Sequence, residues 1–133
     1  MKYLLDTNIC IYLMKDSYPK MTSRFLSMDP SDFCISAITV YELEYGAAKS
    51  KWGEKNRNNL MLFLAPFSIL PFDGRDASYA GRVRSYLEEH GTMIGPYDIQ
   101  ISAQALARNL TVITHNVNEF CRVPHLMTED WVA

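Results

Sequence analysis

Asp6 closes a short apolar run, Tyr3-Leu4-Leu5, and is followed at once by Thr7-Asn8 and the helix-like Ile9-Cys10-Ile11-Tyr12-Leu13-Met14. A carboxylate there stands where a buried parallel strand gives way to a helix, the edge at which open α/β sheets build their sites. Glu42 and Asp98 recur at comparable junctions far along the chain. Carboxylates brought to one sheet edge repel one another, and such a cluster persists mainly when a divalent cation neutralises it. Asp6, Glu42 and Asp98 are therefore the candidate catalytic acids, with Asp6 the central metal ligand and Asp98 and Glu42 direct or water-mediated ones. Hard oxygen donors in small number suit Mg2+ and leave positions for water and a phosphate oxygen. An ion so held lowers the pKa of a bound water, orients it in line and stabilises the leaving oxygen, as phosphodiester hydrolysis requires. Glu119 or Asn116 supplies a fourth corner, and Thr7, Asn8 and Thr114 offer polar groups around it.

The elements that must position these residues are legible in outline. Residues 2–5 read as a first strand, and Asn8 is a candidate cap for a helix carrying Ile9, Tyr12 and Leu13. Pro19 suits the first turn of a second helix through about Met28. Phe33-Cys34-Ile35-Ser36 is a second strand, and Ala37 to Ser50 has helical spacing of Ile38, Tyr41 and Tyr45, with Glu42 about two turns in. A helix near Glu54 to Leu64 stops around Pro66, and Ser68-Ile69-Leu70 makes a third strand. Asp73 caps a long amphipathic helix closed by Gly91, with Asp76 a helix-start residue. Pro96 at a first helical position puts Asp98 in the first turn of a helix through Arg108, where the helix dipole favours a carboxylate. Asn109 ends that helix, Thr111-Val112-Ile113-Thr114 is a fourth strand, and Leu126-Met127-Thr128 an edge strand. The pattern is α/β: a single domain over residues 1–133 with a central, mostly parallel sheet of four to five short strands flanked by helices.

Composition narrows the function classes. The 133 residues are 48% hydrophobic and 21% charged, close to an ordinary globular protein and long enough for one core. No apolar run approaches the ~20 residues that span a bilayer, and no signal-peptide pattern precedes Lys2-Tyr3-Leu4-Leu5, so the expected compartment is the cytoplasm, without membrane contact. Cys10, Cys34 and Cys121 form no close pair and read as buried free thiols. Cys121 and His125 lack the second pair that a zinc site needs. The formal charge of -2 argues weakly against nucleic acid. Setting aside Asp6, Glu42, Asp98 and Glu119 reverses it to +2, with Lys49, Lys51, Lys55 and Arg57 close together and Arg75, Arg82 and Arg84 on another segment.

Four blocks, Tyr3-Leu4-Leu5-Asp6-Thr7-Asn8, Ser36-x-Ile38-Thr39-x-x-Glu42-Leu43-x-x-Gly46, Ile94-Gly95-Pro96-Tyr97-Asp98 with Ile101 and Ala103, and Val112-Ile113-Thr114-x-Asn116-x-x-Glu119-Phe120, follow one another along nearly the whole chain. In these blocks the chain resembles the PIN-domain endoribonucleases, in particular the VapC toxins of bacterial toxin-antitoxin pairs. The resemblance implies a PIN-like fold and metal-binding acids at Asp6, Glu42 and Asp98. Many members carry Asp where this chain has Asn116 or Glu119, so the residue closing the site stays open between them. The resemblance further implies magnesium, with manganese as a substitute, an RNA substrate, often tRNA cut in the anticodon region, and a VapB-like antitoxin that holds the enzyme inactive.

Two other readings use the same acids. Asp6 as the phosphate-accepting nucleophile of a phosphatase or receiver-like α/β protein leaves Glu42 idle, and Asn8 stands where such phosphatases carry a second Asp. A non-catalytic nucleotide-binding module wants a glycine-rich phosphate loop, whereas Gly74 and Gly95 stand alone. Trp52, beside Lys49, Lys51 and Lys55, suits either stacking on an RNA base or anchoring a protein partner. His115 is expected to be structural or solvent-facing. The faces bearing Tyr41, Tyr45, Leu60, Phe63 and Leu64 exceed internal need, which points to a homodimer or antitoxin contact.

Overall fold

Successive strand residues point to opposite faces of a sheet, and the apolar runs of this chain use both faces. The computed structural model describes residues Met1 to Ala133. Its strands β1 (Tyr3–Leu5), β2 (Phe33–Ser36), β3 (Ser68–Leu70), β4 (Thr111–Ile113) and β5 (Met127–Glu129) form one sheet in the order β3-β2-β1-β4-β5. All of the pairings are parallel, so the expected α/β architecture holds with five strands and no antiparallel edge. The connections are α1 (Thr7–Lys15), α2 (Pro19–Leu26), α3 (Ala37–Lys49), α4 (Gly53–Leu64), α5 (Gly74–Glu89), α6 (Pro96–Arg108) and α7 (Val117–Phe120).

Alternation sorts the core. Tyr3, Leu5, Phe33, Ile35 and Ile113 face one way and pack with Ile9, Met21, Leu60, Leu64 and Trp131. Leu4, Cys34 and Val112 face the other way, against Ile101, Ala105 and Phe120. The chain runs from β1 outward to β3 and then returns to the far side of β1 for β4, which makes the β1–β4 crevice the switch point where such sheets place their sites. The backbone N–H of Asp6 donates to the Ile113 carbonyl at 3.1 Å, fixing the end of β1 against β4 at that crevice.

Several expectations are corrected. Asn8 is an exposed residue inside α1, and Asp6 is the cap. A single 3-10 turn at Pro30–Asp32 and the short α7 were not anticipated. Leu60 and Leu64 belong to the core, because the face of α4 turned to solvent carries Met61 and Leu62 instead. Cys121 is exposed, whereas Cys10 and Cys34 are buried as expected. Asn109, at φ 54°, and Gly91, at φ 64°, occupy the left-handed conformation that ends helices, as their residue types imply. No helix is long and apolar enough to cross a membrane.

Asp76 is more than a helix-start residue. It closes a capping box with Asp73 at 3.0 Å and is fully buried, where Arg108 and Gln104 of α6 donate to its carboxylate. Burial works to raise its pKa, but the hydrogen bond and charge of Arg108 outweigh it and hold the carboxyl below its ordinary value. The pair's stability is therefore present above the ordinary carboxylate range and lost as pH falls through the folded value. Because α5 packs chiefly on α6, this pair fixes the helix that carries Asp98. Asp76→Ala leaves Arg108 without its buried partner and is expected to lower the unfolding free energy by about 3 kcal/mol in urea titration at neutral pH. A loss below about 0.5 kcal/mol, the scale of an ordinary surface change, would contradict this role.

Candidate functional site

Asp6 is placed by local chemistry. Its extended backbone ends β1, and its carboxylate caps α1, with Oδ1 accepting from the Ile9 N–H at 2.8 Å. Oδ2 accepts from the Thr114 hydroxyl at 2.5 Å, across a sequence separation of 108 residues. Thr114 is itself oriented, because its Oγ1 accepts from the Asn116 N–H at 2.9 Å. Burial raises the pKa of Asp6, the bonds from Thr114 and Ile9 pull it back, and the charge of Glu42 adds to the rise; the net direction is upward.

The other acids close in from separate helices. Glu42 is the sixth residue of α3, where the Thr7 hydroxyl donates to its Oε1 at 2.8 Å while lying 3.1 Å from the Thr39 hydroxyl. Asp98 lies in the first turn of α6, behind Pro96, and is half-buried. Its pKa is pushed up to about 7, first by burial, then by a hydrogen bond to Glu119 and its charge, then by the charges of Asp6 and Glu42. Glu119, on the one-turn α7, is thus the acid with the largest effect on Asp98. Asn116 contributes its backbone N–H to Thr114 and caps α7 without a side-chain bond. The structure therefore brings Asp6, Glu42, Asp98 and Glu119 into one electrostatic unit, with Thr7 and Thr114 bonded to two of them. Asn8 points to solvent, and only its backbone reaches Asp6.

The donor set fits a hard divalent ion. The side chains that converge are carboxylates and hydroxyls, and the pKa values of Asp6 and Asp98 are raised first by burial and then by neighbouring negative charge, a cost that a cation relieves. No three of the His, Cys, Asp and Glu side chains are gathered tightly enough to hold an ion alone. His115 turns away to pair with Asp130 at 3.0 Å. Cys121 donates to the Asn118 carbonyl.

Sequence reasoning gave no role in the site to Thr39 or to the pair Tyr41 and Tyr97, whose hydroxyls lie 3.2 Å apart with rings edge to face; Tyr41 figures there only as part of a protein-contact face. Each tyrosine directly precedes a site acid, which is the signal that could have singled them out. Tyr97 has its pKa raised by the hydrogen bond with Tyr41, by partial desolvation and by the charges of Tyr41 and Glu42.

Comparison with known proteins matches the PIN domain model over residues 3–126. The tRNA(fMet)-specific endonuclease VapC of Salmonella typhimurium is 40% identical over 131 residues, covering 98% of both chains. Ribonuclease VapC2 of Rickettsia felis is 40% identical over 134 residues, again with 98% of each chain covered. Among solved structures, DNA-bound VapBC from Salmonella typhimurium superimposes with a TM-score of 0.93 at 40% identity over 98% of both chains. VapBC-1 from nontypeable Haemophilus influenzae gives 0.89 at 34% identity over the full length of both.

The raised pKa of Asp98 makes its ionisation unfavourable to the metal-free fold. A folded pKa above the unfolded one favours the folded state fully below the ordinary carboxylate value, and that advantage is lost as pH rises through about 7. Asn mimics the protonated form. In chelator, Asp98→Asn should therefore unfold later than the parent at pH 8, by about 1 kcal/mol once solvent screening of a half-buried group is allowed for. The gap should close as pH falls toward 4. A variant less stable than the parent at pH 8, or a gap independent of pH, would show that the acids do not meet.

Proposed function

The chain belongs to the PIN-domain family, among its VapC ribonucleases, and on that premise we propose that it cleaves tRNA in the anticodon region with Mg2+ held at Asp6 and Asp98. PIN-domain nucleases generally depend on a divalent metal; magnesium, with manganese as a substitute, is the proposal. The observation that carries the reading is the placement of Asp6 at the end of β1, held by Ile9 and Thr114, with Glu42 on α3 held by Thr7 and with Asp98 on α6 raised first by burial and then by Glu119, Asp6 and Glu42.

When bound, the ion supplies a nucleophile at neutral pH and charge neutralisation at the phosphate. The chain's own residues do the rest. Asp6 presents its carboxylate in one orientation, because Ile9 and Thr114 hold both oxygens. Glu42 is steadied by Thr7. Asp98, with its pKa raised to about 7, holds a proton near neutrality without metal, so loading the site releases it and affinity falls as pH drops below neutrality. Glu119 is proposed as the fourth catalytic acid, since its carboxylate faces Asp98 whereas Asn116 acts through its backbone N–H.

The solved relatives are VapBC complexes, which supports a VapB-like antitoxin as partner and the toxin role in such a pair. A basic side chain of that antitoxin would pair bidentately with the acids and replace the metal's charge. A homodimer is proposed to use apolar surface left by the fold, such as Met61 and Leu62. A tRNA substrate places the enzyme in the cytoplasm.

Purified protein incubated with total tRNA should produce discrete new ends with magnesium and none after chelation. Asp6→Asn and Asp98→Asn are each expected to lower the cleavage rate by at least about a hundredfold, the scale of several kcal/mol of lost charge stabilisation, with the far-ultraviolet spectrum unchanged. Glu88→Gln, on the exposed end of α5, should cut as the parent does. Cleavage that survives thorough chelation would sink the mechanism. Between the two fourth-corner residues, Glu119→Ala should weaken the apparent magnesium affinity more than Asn116→Ala; the reverse order would make Asn116 the ligand or water-positioning group.

A further inference from the structure

Helical spacing puts Tyr41, Tyr45 and Lys49 at i, i+4 and i+8 on the outer face of α3, spanning about 12 Å of helix axis. Tyr41 and Tyr45 are 56% and 59% exposed, and Trp52, just past the helix end, is 64% exposed. Rings of this size left in solvent do nothing for the core. Cations interleave them: the Lys49 ammonium lies 4.9 Å from the Tyr45 ring centre and the Lys51 ammonium 5.4 Å from that of Trp52. The nearby acid Glu44 is neutralised by Arg57 at 3.2 Å. At its other end the row is continuous with the acid cluster, because Tyr41 precedes Glu42 and bonds to Tyr97, which precedes Asp98.

We infer that this row, from Tyr97 and Tyr41 through Tyr45 and Lys49 to Lys51 and Trp52, is a stacking track for a single-stranded segment of the substrate RNA. Aromatic faces take bases without regard to sequence, and the interleaved ammonium groups take the phosphates, a pairing that suits an unpaired strand. A protein partner would be served by the rings alone; the lysines between them, on a line that ends at the proposed site of phosphodiester cleavage, favour nucleic acid. The inference rests on the ribonuclease reading and adds to it where the strand lies. Trp52 and the tyrosines act by positioning the substrate, not in the chemistry.

The test is single-turnover cleavage of a labelled tRNA by the full chain in magnesium, measured against protein concentration, with sedimentation of each variant alongside. Tyr45→Leu and Trp52→Leu are each expected to raise the half-saturating concentration about fivefold or more, with a smaller change in the maximal rate. The double change Lys49→Gln and Lys51→Gln should reduce the salt dependence of half-saturation by about 0.7 logarithmic units per lysine. Sedimentation should match the parent throughout. Unchanged half-saturation, or a loss confined to the maximal rate, overturns the track. So does any variant that alters the oligomeric state, which would make the face a contact between protein chains. If the parent cuts no RNA, the ribonuclease reading itself fails; if it cuts and the variants saturate as it does, only the track fails.

Discussion

Carboxylates at the carboxyl edge of a parallel sheet repel one another, and much of the architecture consists of what holds Asp6, Glu42, Asp98 and Glu119 together in spite of it. The sheet supplies the rigid base: Asp6 is pinned to β4 through its backbone and to Thr114 through its side chain, so it has no alternative rotamer to retreat into. Helix starts supply partial positive charge. Asp6 caps α1 and Asp98 sits in the first turn of α6, which offsets part of the cost of ionising them. The remaining cost shows at Asp6 and Asp98, whose pKa values are raised first by burial and then by the neighbouring charges.

The support extends well beyond the acids. The position of α6 depends on α5, and the two are locked by the buried carboxylate of Asp76 meeting the guanidinium of Arg108, far from the crevice. Glu42 depends on Thr7, which is itself the first residue of the helix that Asp6 caps. A change at one acid is therefore felt at the others through shared hydrogen bonds as well as through charge. Glu119 is the least supported, since α7 is a single turn of four residues.

Much of this was legible in the sequence because local rules decided it. The junction at Asp6, Pro96 ahead of Asp98, the Asp73 cap and the Asn109 stop each depend on residues within a turn of one another, and the structure has them as expected. What was not legible depends on distant partners. Asp76 looked like an ordinary helix-start acid because Arg108 lies 32 residues away. Asn8 and Asp6 are both good caps by type, and only the register of β1 decides for Asp6. The buried face of α4 was misjudged at Leu60 and Leu64 because Met61 and Leu62 are equally apolar neighbours; packing under β1 and β2, not hydropathy, selected between them. The choice between Asn116 and Glu119 could not be read from spacing, since a one-turn helix leaves both near the crevice.

The central claim is that these acids hold a hard ion which meets the scissile phosphate, and metal-specificity rescue tests it most directly. A non-bridging oxygen of the cleaved phosphate in a tRNA substrate is replaced by sulfur, and cleavage is compared in magnesium and in manganese. Sulfur binds magnesium poorly and softer manganese better. The account predicts a strong loss in magnesium that manganese restores toward the rate of the unmodified substrate. Equal rates for the two substrates in magnesium, or a loss that manganese leaves untouched, would contradict it.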